Sequence, residues 1–247
     1  MDISKLIENG EMEHVYQSLW KLNNWHIYGF EALLRVPNPK ITNIEHVFIE
    51  AREQGVLYEL DTMAIRGAVS CFPLKYIKHE LLFINIFPST LLHEHFEIFL
   101  QTLIDDFPLI RGKVVFEFSE TIREEKNWES SLLKERIQML KKHGFLFALD
   151  DVGKGVANLQ KVMDFQPNFI KLDRYFAKDL SSSIEKQRMI STMQSYCQDH
   201  IGLVLEGIEK ENDLATAKLL NVPFAQGYLL GRPGKITANL FGQLQTI

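Results

Sequence analysis

From residue 81 onward, short apolar runs rich in β-branched and aromatic residues alternate with longer segments whose apolar positions recur every three or four residues. The short runs predict strands over 81–86, 113–118, 145–150, 169–172, 202–205 and 224–228. The longer segments predict amphipathic helices over 91–104, 131–143, 183–199 and 211–220, each covering the outside of a sheet. This alternation is the pattern of repeated βα units around a parallel sheet. Upstream, 14–21 and 26–36 flank Leu22-Asn23-Asn24-Trp25, which predicts a hairpin turn, and 44–72 predicts mainly helix. A hairpin makes its two strands antiparallel, so the first strand is expected to run against the rest. No Pro-, Gly- or Ser-rich tract and no internal repeat divides the chain, and 1–247 is expected to form a single domain.

Five of the apolar runs lead into acids: Glu31, Glu117, Asp150-Asp151, Asp173 and Glu206. An ionised carboxylate is costly to bury unpaired, so several converging on one rim call for cations, either Lys and Arg or bound metal. Oxygen-rich sites suit Mg²⁺ or Mn²⁺. Periodicity alone leaves a closed barrel and an open doubly wound sheet both available. The acids favour the barrel, because the carboxyl ends of its strands share one rim, whereas in an open sheet they spread along an edge. The fold expected is therefore α/β, a modified TIM-like (β/α)8 barrel with its first strand antiparallel.

Adjacent Asp150 and Asp151 cannot both point one way from an extended strand, but at a strand-to-loop break they can serve two neighbouring cations. Such a two-metal site activates water and stabilises the attacking and leaving oxygens of displacement at phosphorus. Gly153 and Gly155 would let the following loop approach closely. By strand alternation Lys171 points opposite to Ile170 and Leu172, into the carboxylate-lined interior, where it neutralises a phosphate, holds a hydroxide or forms an internal salt bridge.

Composition narrows the class. A 247-residue chain with 46% hydrophobic residues supports a large core, and its formal charge of −5 argues against binding duplex DNA or RNA. No stretch stays apolar for the ~20 residues of a membrane helix and no leader pattern opens the chain, so a cytoplasmic, soluble protein is expected. Its two cysteines, Cys71 and Cys197, match no metal-finger spacing. His93-Glu94-His95 reads as solvated helix surface with the two rings facing apart, and residues 123–126 read as an ordinary charged face.

Seven segments in order resemble the EAL-family cyclic di-guanylate phosphodiesterases over nearly the whole chain. Glu31-Ala32-Leu33 followed by Leu34-Arg35 matches the EALLR signature, and FINIFPSTL around Asn85 is similar to the family's VNLSP segment. FEFSE, with Glu117 and Glu120, is similar to ELTE; ALDDVGKG resembles ALDDFGTG; FIKLD, with Lys171 and Asp173, resembles IKID. LEGIE, with Glu206 and Glu209, resembles AEGVE, and QGYLLGRP, beginning at Gln226, resembles QGYLFGRP.

The resemblance implies that Glu31, Asn85, Glu117 and Asp150 bind one Mg²⁺ or Mn²⁺ ion and that Asp150, Asp151 and Glu206 bind a second. It implies that Lys171 positions the attacking water, with Glu31 and Glu206 also in the catalytic set. Glu206 reads as metal ligand ahead of general base. Arg35 would meet a substrate phosphate; Gln17, Leu33, Asp173, Glu209 and Gln226 would shape the substrate pocket; Glu120 would anchor the loop that begins at Asp150. The implied reaction opens one phosphodiester of cyclic di-GMP to give linear pGpG. The implied assembly is a homodimer, and with no cyclase-like or sensor segment in the sequence, regulation falls to dimerisation, expression or an unidentified protein partner. Val152 and Lys154 replace Phe and Thr of the family's DDFGTG, Ser18 replaces a usual Pro, and Ile86-Phe87 replaces Leu-Ser. None of these removes a ligand. A catalytically silent cyclic di-GMP receptor and a protein-interaction module are the alternatives, and a complete ligand set favours the enzyme.

Overall fold

The structure, a computed structural model, describes residues 2–38, 41, 43–118, 124–153, 159–198 and 200–236. Eight strands close into a barrel in sequence order: β1 (Glu13–Lys21), β2 (His26–Arg35), β3 (Leu81–Ile86), β4 (Val114–Phe118), β5 (Leu146–Val152), β6 (Phe169–Leu172), β7 (Gly202–Leu205) and β8 (Phe224–Ala225). β1 pairs antiparallel with both β2 and β8, and every other pairing is parallel, so β1 is the inverted strand. Helix α1 (Ile3–Asn9) precedes β1, and helices occupy the connections after β2: α2 (Ile44–Glu53), α3 (Leu57–Cys71), α4 (Pro88–Leu92), α5 (Phe96–Asp106), α6 (Glu125–Trp128), α7 (Ser131–Lys142), α8 (Leu159–Phe165), α9 (Arg174–Ala177), α10 (Ile184–Cys197) and α11 (Glu211–Leu219). Among the described residues no helix is long and apolar enough to cross a membrane.

The period-two alternation of the strands sorts their side chains into two cores. Outward residues such as Ile84, Phe116, Phe147, Ile170 and Leu203 pack against the helices. Inward residues Leu19, Phe83, Val115, Ala148, Phe169, Val204 and Phe224 form a separate apolar plug. Gly29 completes that layer on β2 for a steric reason: a Cβ there would lie 2.6 Å from the Leu81 carbonyl oxygen and 2.9 Å from the Phe83 ring.

Two predicted helices are broken. The 44–72 segment divides at Gly55, whose φ of +73° belongs to the left-handed region that ends helices. The 91–104 segment divides because His93 Nδ1 accepts the His95 backbone N–H at 3.3 Å, the donor that a continuous helix would direct to Leu91. His93 stacks on Tyr58 with ring centroids 3.7 Å apart and meets the His95 ring at 5.3 Å, so the two histidines do not face apart. Strand β8 ends at Ala225, three residues short of the predicted 228, because Gln226 and Gly227 turn across β7's loop with the Gln226 carbonyl accepting from Ile208 N–H.

His14 on β1 is buried beside Gly67, where an added Cβ would lie 2.6 Å from the imidazole Cε1. Burial pushes its pKa from 6.5 down to about 4, against a weaker upward pull from the Ala64 backbone. A base whose folded pKa is depressed favours the unfolded chain as pH falls through the unfolded value. His14 should therefore withdraw about 2 kcal/mol of stability between pH 7 and pH 5. Urea midpoints at the two pH values should drop more in the wild type than in His14→Gln; equal drops would count against the assignment.

Candidate active site

Two positions beyond the apolar plug, the same alternation brings a polar side chain inward on every strand. Gly29 leads to Glu31, Phe83 to Asn85, Val115 to Glu117, Ala148 to Asp150, Phe169 to Lys171, Val204 to Glu206 and Phe224 to Gln226. On inverted β1 the step runs backwards, from Leu19 to Gln17, and still reaches the same rim. The pattern of acids ending strands is thus corrected in detail: Glu31 lies mid-way along β2, β4 continues past Glu117 and β5 past Asp150. Asp173 and Glu206 do follow the ends of β6 and β7, and Gln226 the end of β8; alternation within the closed strands carries the others to the same rim.

Lys171 is the centre of the layer. Only 1% exposed, its Nζ lies 2.7 Å from Glu206 Oε1, 2.8 Å from Glu117 Oε1, and 3.5 Å from both Glu31 Oε2 and Asp150 Oδ1. Burial alone would depress the ammonium, but the carboxylates of Asp150, Glu117, Glu206 and Glu31 outweigh it and hold Lys171 well above its ordinary value. The carboxylates are poorly served in return. Burial pushes Glu117 well up and Asp150 up, and takes Glu206 up to about 8, with Lys171 opposing each shift.

Asp150 keeps the strand alternation, and Asp151 escapes it through a β-bulge. The β5–β6 register breaks between Leu149 and Val152, and Asp151 takes a φ of +54°. Asp151 N–H donates to Asp150 Oδ1 at 2.9 Å. The bulge turns both carboxylates to one side, and one oxygen each from Asp150, Asp151 and Glu206 lies within 4.8 Å of the others. Helix α9 abuts both acid-bearing loops. Added Cβ atoms at Gly153 and Gly207 would lie 2.3 Å from the Phe176 ring and from Arg174 Cβ, respectively.

The remaining predicted residues divide. Gln17 and Gln226 are buried in the wall; Asn85 Nδ2 donates to Glu31 Oε1 at 3.4 Å. Leu33 is half-buried and Arg35 exposed at the end of β2, with Arg35 Nη1 donating to the Leu34 carbonyl at 2.8 Å. Asp173 caps α9 by accepting from Tyr175 N–H at 2.8 Å. Asp173 and Glu209, with Gly153, Gly207, Lys178 and Lys210, line a cavity of about 790 Å³ beside the acidic cluster. Glu120, Lys154 and Gly155 lie outside the described residues.

Among the described residues three buried acids, Asp61, Glu124 and Asp213, carry no sign of their burial in the sequence pattern. Within the segment read as a charged face, Glu124 is fully buried and accepts from Arg52, from Ser89 N–H at 2.9 Å, from Ser89 Oγ at 2.8 Å and from Asn127 Nδ2 at 2.6 Å. It fastens the turn after β3 to the segment after β4. Nothing local distinguishes Glu124 from exposed Glu125, because its donors come mostly from elsewhere in the chain.

The EAL domain family model matches residues 1–233. The chain belongs to the EAL family. PdeI of Escherichia coli, a probable cyclic di-GMP phosphodiesterase, is 30% identical over 246 residues, spanning 96% of this EAL chain and 31% of PdeI. RocR of Pseudomonas aeruginosa, a cyclic di-GMP phosphodiesterase, is 27% identical over 239 residues, spanning 94% of this chain and 60% of RocR. Klebsiella pneumoniae BlrP1, in a manganese and cyclic di-GMP complex, superposes with a TM-score of 0.78 at 24% identity, over 91% of this chain and 56% of BlrP1. That likeness is one of fold. The EAL chain accounts for less than two thirds of each of these three proteins.

The residues of this EAL site fit hard divalent cations. Four carboxylates face one ammonium, an excess of three negative charges if all ionise. Both Glu117 oxygens are buried with no donor in reach among the described residues except the Lys171 ammonium. Carboxylate and amide oxygens are the donors Mg²⁺ and Mn²⁺ prefer.

Proposed function

We propose that this EAL domain hydrolyses one phosphodiester of cyclic di-GMP, releasing linear pGpG, with two Mg²⁺ or Mn²⁺ ions. The observation that carries the reading is the excess of inward carboxylates around Lys171, beside a cavity large enough for a nucleotide half. Glu31, Asn85, Glu117 and Asp150 would hold one ion; Asp150, Asp151 and Glu206 the other. When bound, the ions supply activation of water near neutral pH and charge neutralisation at the phosphoryl oxygens.

The chain's own groups do the positioning. Lys171 stays protonated because of its carboxylate neighbours, so it acts as a fixed donor that orients the attacking water. Glu206, with its side chain 20% exposed, serves as ligand in preference to general base. Arg35, a planar donor at the open end of β2, meets a phosphate oxygen pair, and Leu33 packs against the substrate. Asp173 and Glu209 present carboxylates along the cavity, suited to the N–H donors of a guanine edge.

The test is incubation of the purified protein with cyclic di-GMP and Mg²⁺ or Mn²⁺, with products followed by chromatography. Linear pGpG that forms with metal and vanishes with chelator is the expected result. Intact cyclic dinucleotide despite measurable binding would make the protein a receptor.

A further inference from the structure

We infer that Gln17 and Gln226 serve the reaction through Glu31, as positioning residues that lock its carboxylate, and not as contacts to the dinucleotide. The inference rests on the reading of Glu31 as a metal ligand. Gln226 Nε2 lies 2.7 Å from Glu31 Oε2 and 3.0 Å from Gln17 Oε1, and Gln17 Nε2 lies 2.8 Å from the Gly231 carbonyl oxygen. Gln17 stands directly opposite Glu31 in the β1–β2 register, and all three side chains are buried.

Amide oxygen and nitrogen are normally interchangeable on shape alone, but here the chemistry allows one assignment. An ionised carboxylate only accepts, so the Gln226 atom facing Glu31 is nitrogen. The same nitrogen faces Gln17, whose nearer atom is therefore oxygen. That leaves the Gln17 nitrogen facing the Gly231 carbonyl, which also only accepts. Turning over either amide would set oxygen against oxygen at one end of the chain, or nitrogen against nitrogen in the middle. Acceptors at both ends thus give the chain one polarity, from the Gly231 backbone across β1 to Glu31 Oε2.

Both amide hydrogens of Gln226 are committed to this chain, and what remains, its Oε1, is buried. Glu31 Oε1 receives Asn85 Nδ2, so each oxygen of the carboxylate has its own amide donor. Groups that orient a metal ligand this way govern metal affinity about 10-fold or more when removed.

Methionine keeps the length of glutamine and removes both polar atoms, so Gln17→Met and Gln226→Met are the variants to compare. Calorimetric titration of Mn²⁺ into nucleotide-free protein should show each variant weakened about 10-fold. The affinity of chelator-treated protein for cyclic di-GMP should stay at the wild-type value. In a Glu31→Ala background, Gln226→Met should weaken Mn²⁺ no further. Unchanged Mn²⁺ affinity with weakened dinucleotide binding would overturn the inference and make these glutamines substrate contacts; an additional loss in the Glu31→Ala background would overturn it as well. If Glu31→Ala itself binds Mn²⁺ like the wild type, the metal-ligand reading fails first, and that outcome is separable from the others. Should one methionine variant lose its circular dichroism spectrum, the other carries the comparison.

Discussion

Lys171→Met should unfold several kcal/mol more easily than the wild type in chelator, and Mn²⁺ should restore much of the loss. Among the described residues Lys171 is the one cation placed against Glu31, Glu117, Asp150 and Glu206, and it is almost entirely buried. Removing one partner of a buried ion pair costs about 3–5 kcal/mol, since the other charge is left without compensation. Here the variant can relieve that cost by protonating the carboxylates or by gathering a divalent ion. Protonation has a definite sign. A carboxyl whose folded pKa lies above its unfolded value favours the folded state at low pH, and that contribution is lost as pH rises through the folded value. Glu206 already stands at about 8 with Lys171 present, pushed up first by burial. The chelated variant should therefore be more stable at pH 5 than at pH 8, relative to wild type. Urea unfolding with chelator and with Mn²⁺ measures both effects. Equal unfolding midpoints in the two conditions would mean that these carboxylates do not gather a cation. Turnover should be lost whether or not the fold is restored, because methionine donates nothing to a water.

The barrel and most of its strands were legible in the sequence because strands buried on both faces leave apolar runs, and helices leave a three-to-four-residue period. Strands β3, β6 and β7 match their predicted bounds. The inversion of β1 followed from the turn at Leu22-Asn23-Asn24-Trp25. Alternation alone placed Lys171 inward, and its apolar neighbours Ile170 and Leu172 do face the helices. Less legible were features set by long-range partners. At the break His93 stacks on Tyr58, thirty-five positions earlier in the chain, a partner that no local pattern announces. The burial of Glu124 depends on Arg52 and Ser89. The turning of Asp150 and Asp151 to one side needed a bulge in β5, and paired acids in sequence announce a break without stating its geometry.

Gly227→Ala should be among the most damaging single-methyl additions to the fold, at about 3 kcal/mol. Gly227 has no unusual φ, so the cost is steric and not conformational. A Cβ there would stand 2.1 Å from Ile208 O, 2.3 Å from Ile208 N and 2.6 Å from Ile208 C, all backbone atoms. No rotamer change can relieve that. Ile208 N–H also donates to the Gln226 carbonyl at 3.0 Å, and its carbonyl accepts from Leu229 N–H at 3.1 Å, so the clashing peptide is clamped on both sides of Gly227. Relief requires separating the turn after β8 from the loop after β7, which would carry Gln226 away from Glu31 and shift the backbone next to Glu206. Gly112 supplies the comparison: its φ is +74° and an added Cβ meets nothing within 4 Å. Gly112→Ala should cost only the left-handed backbone strain, about 1–2 kcal/mol. Urea unfolding of the two variants separates the causes. Gly227→Ala that is no less stable than Gly112→Ala would mean that the two loops part easily, and that the rim of the barrel does not hold Gln226 against Glu31 through this contact.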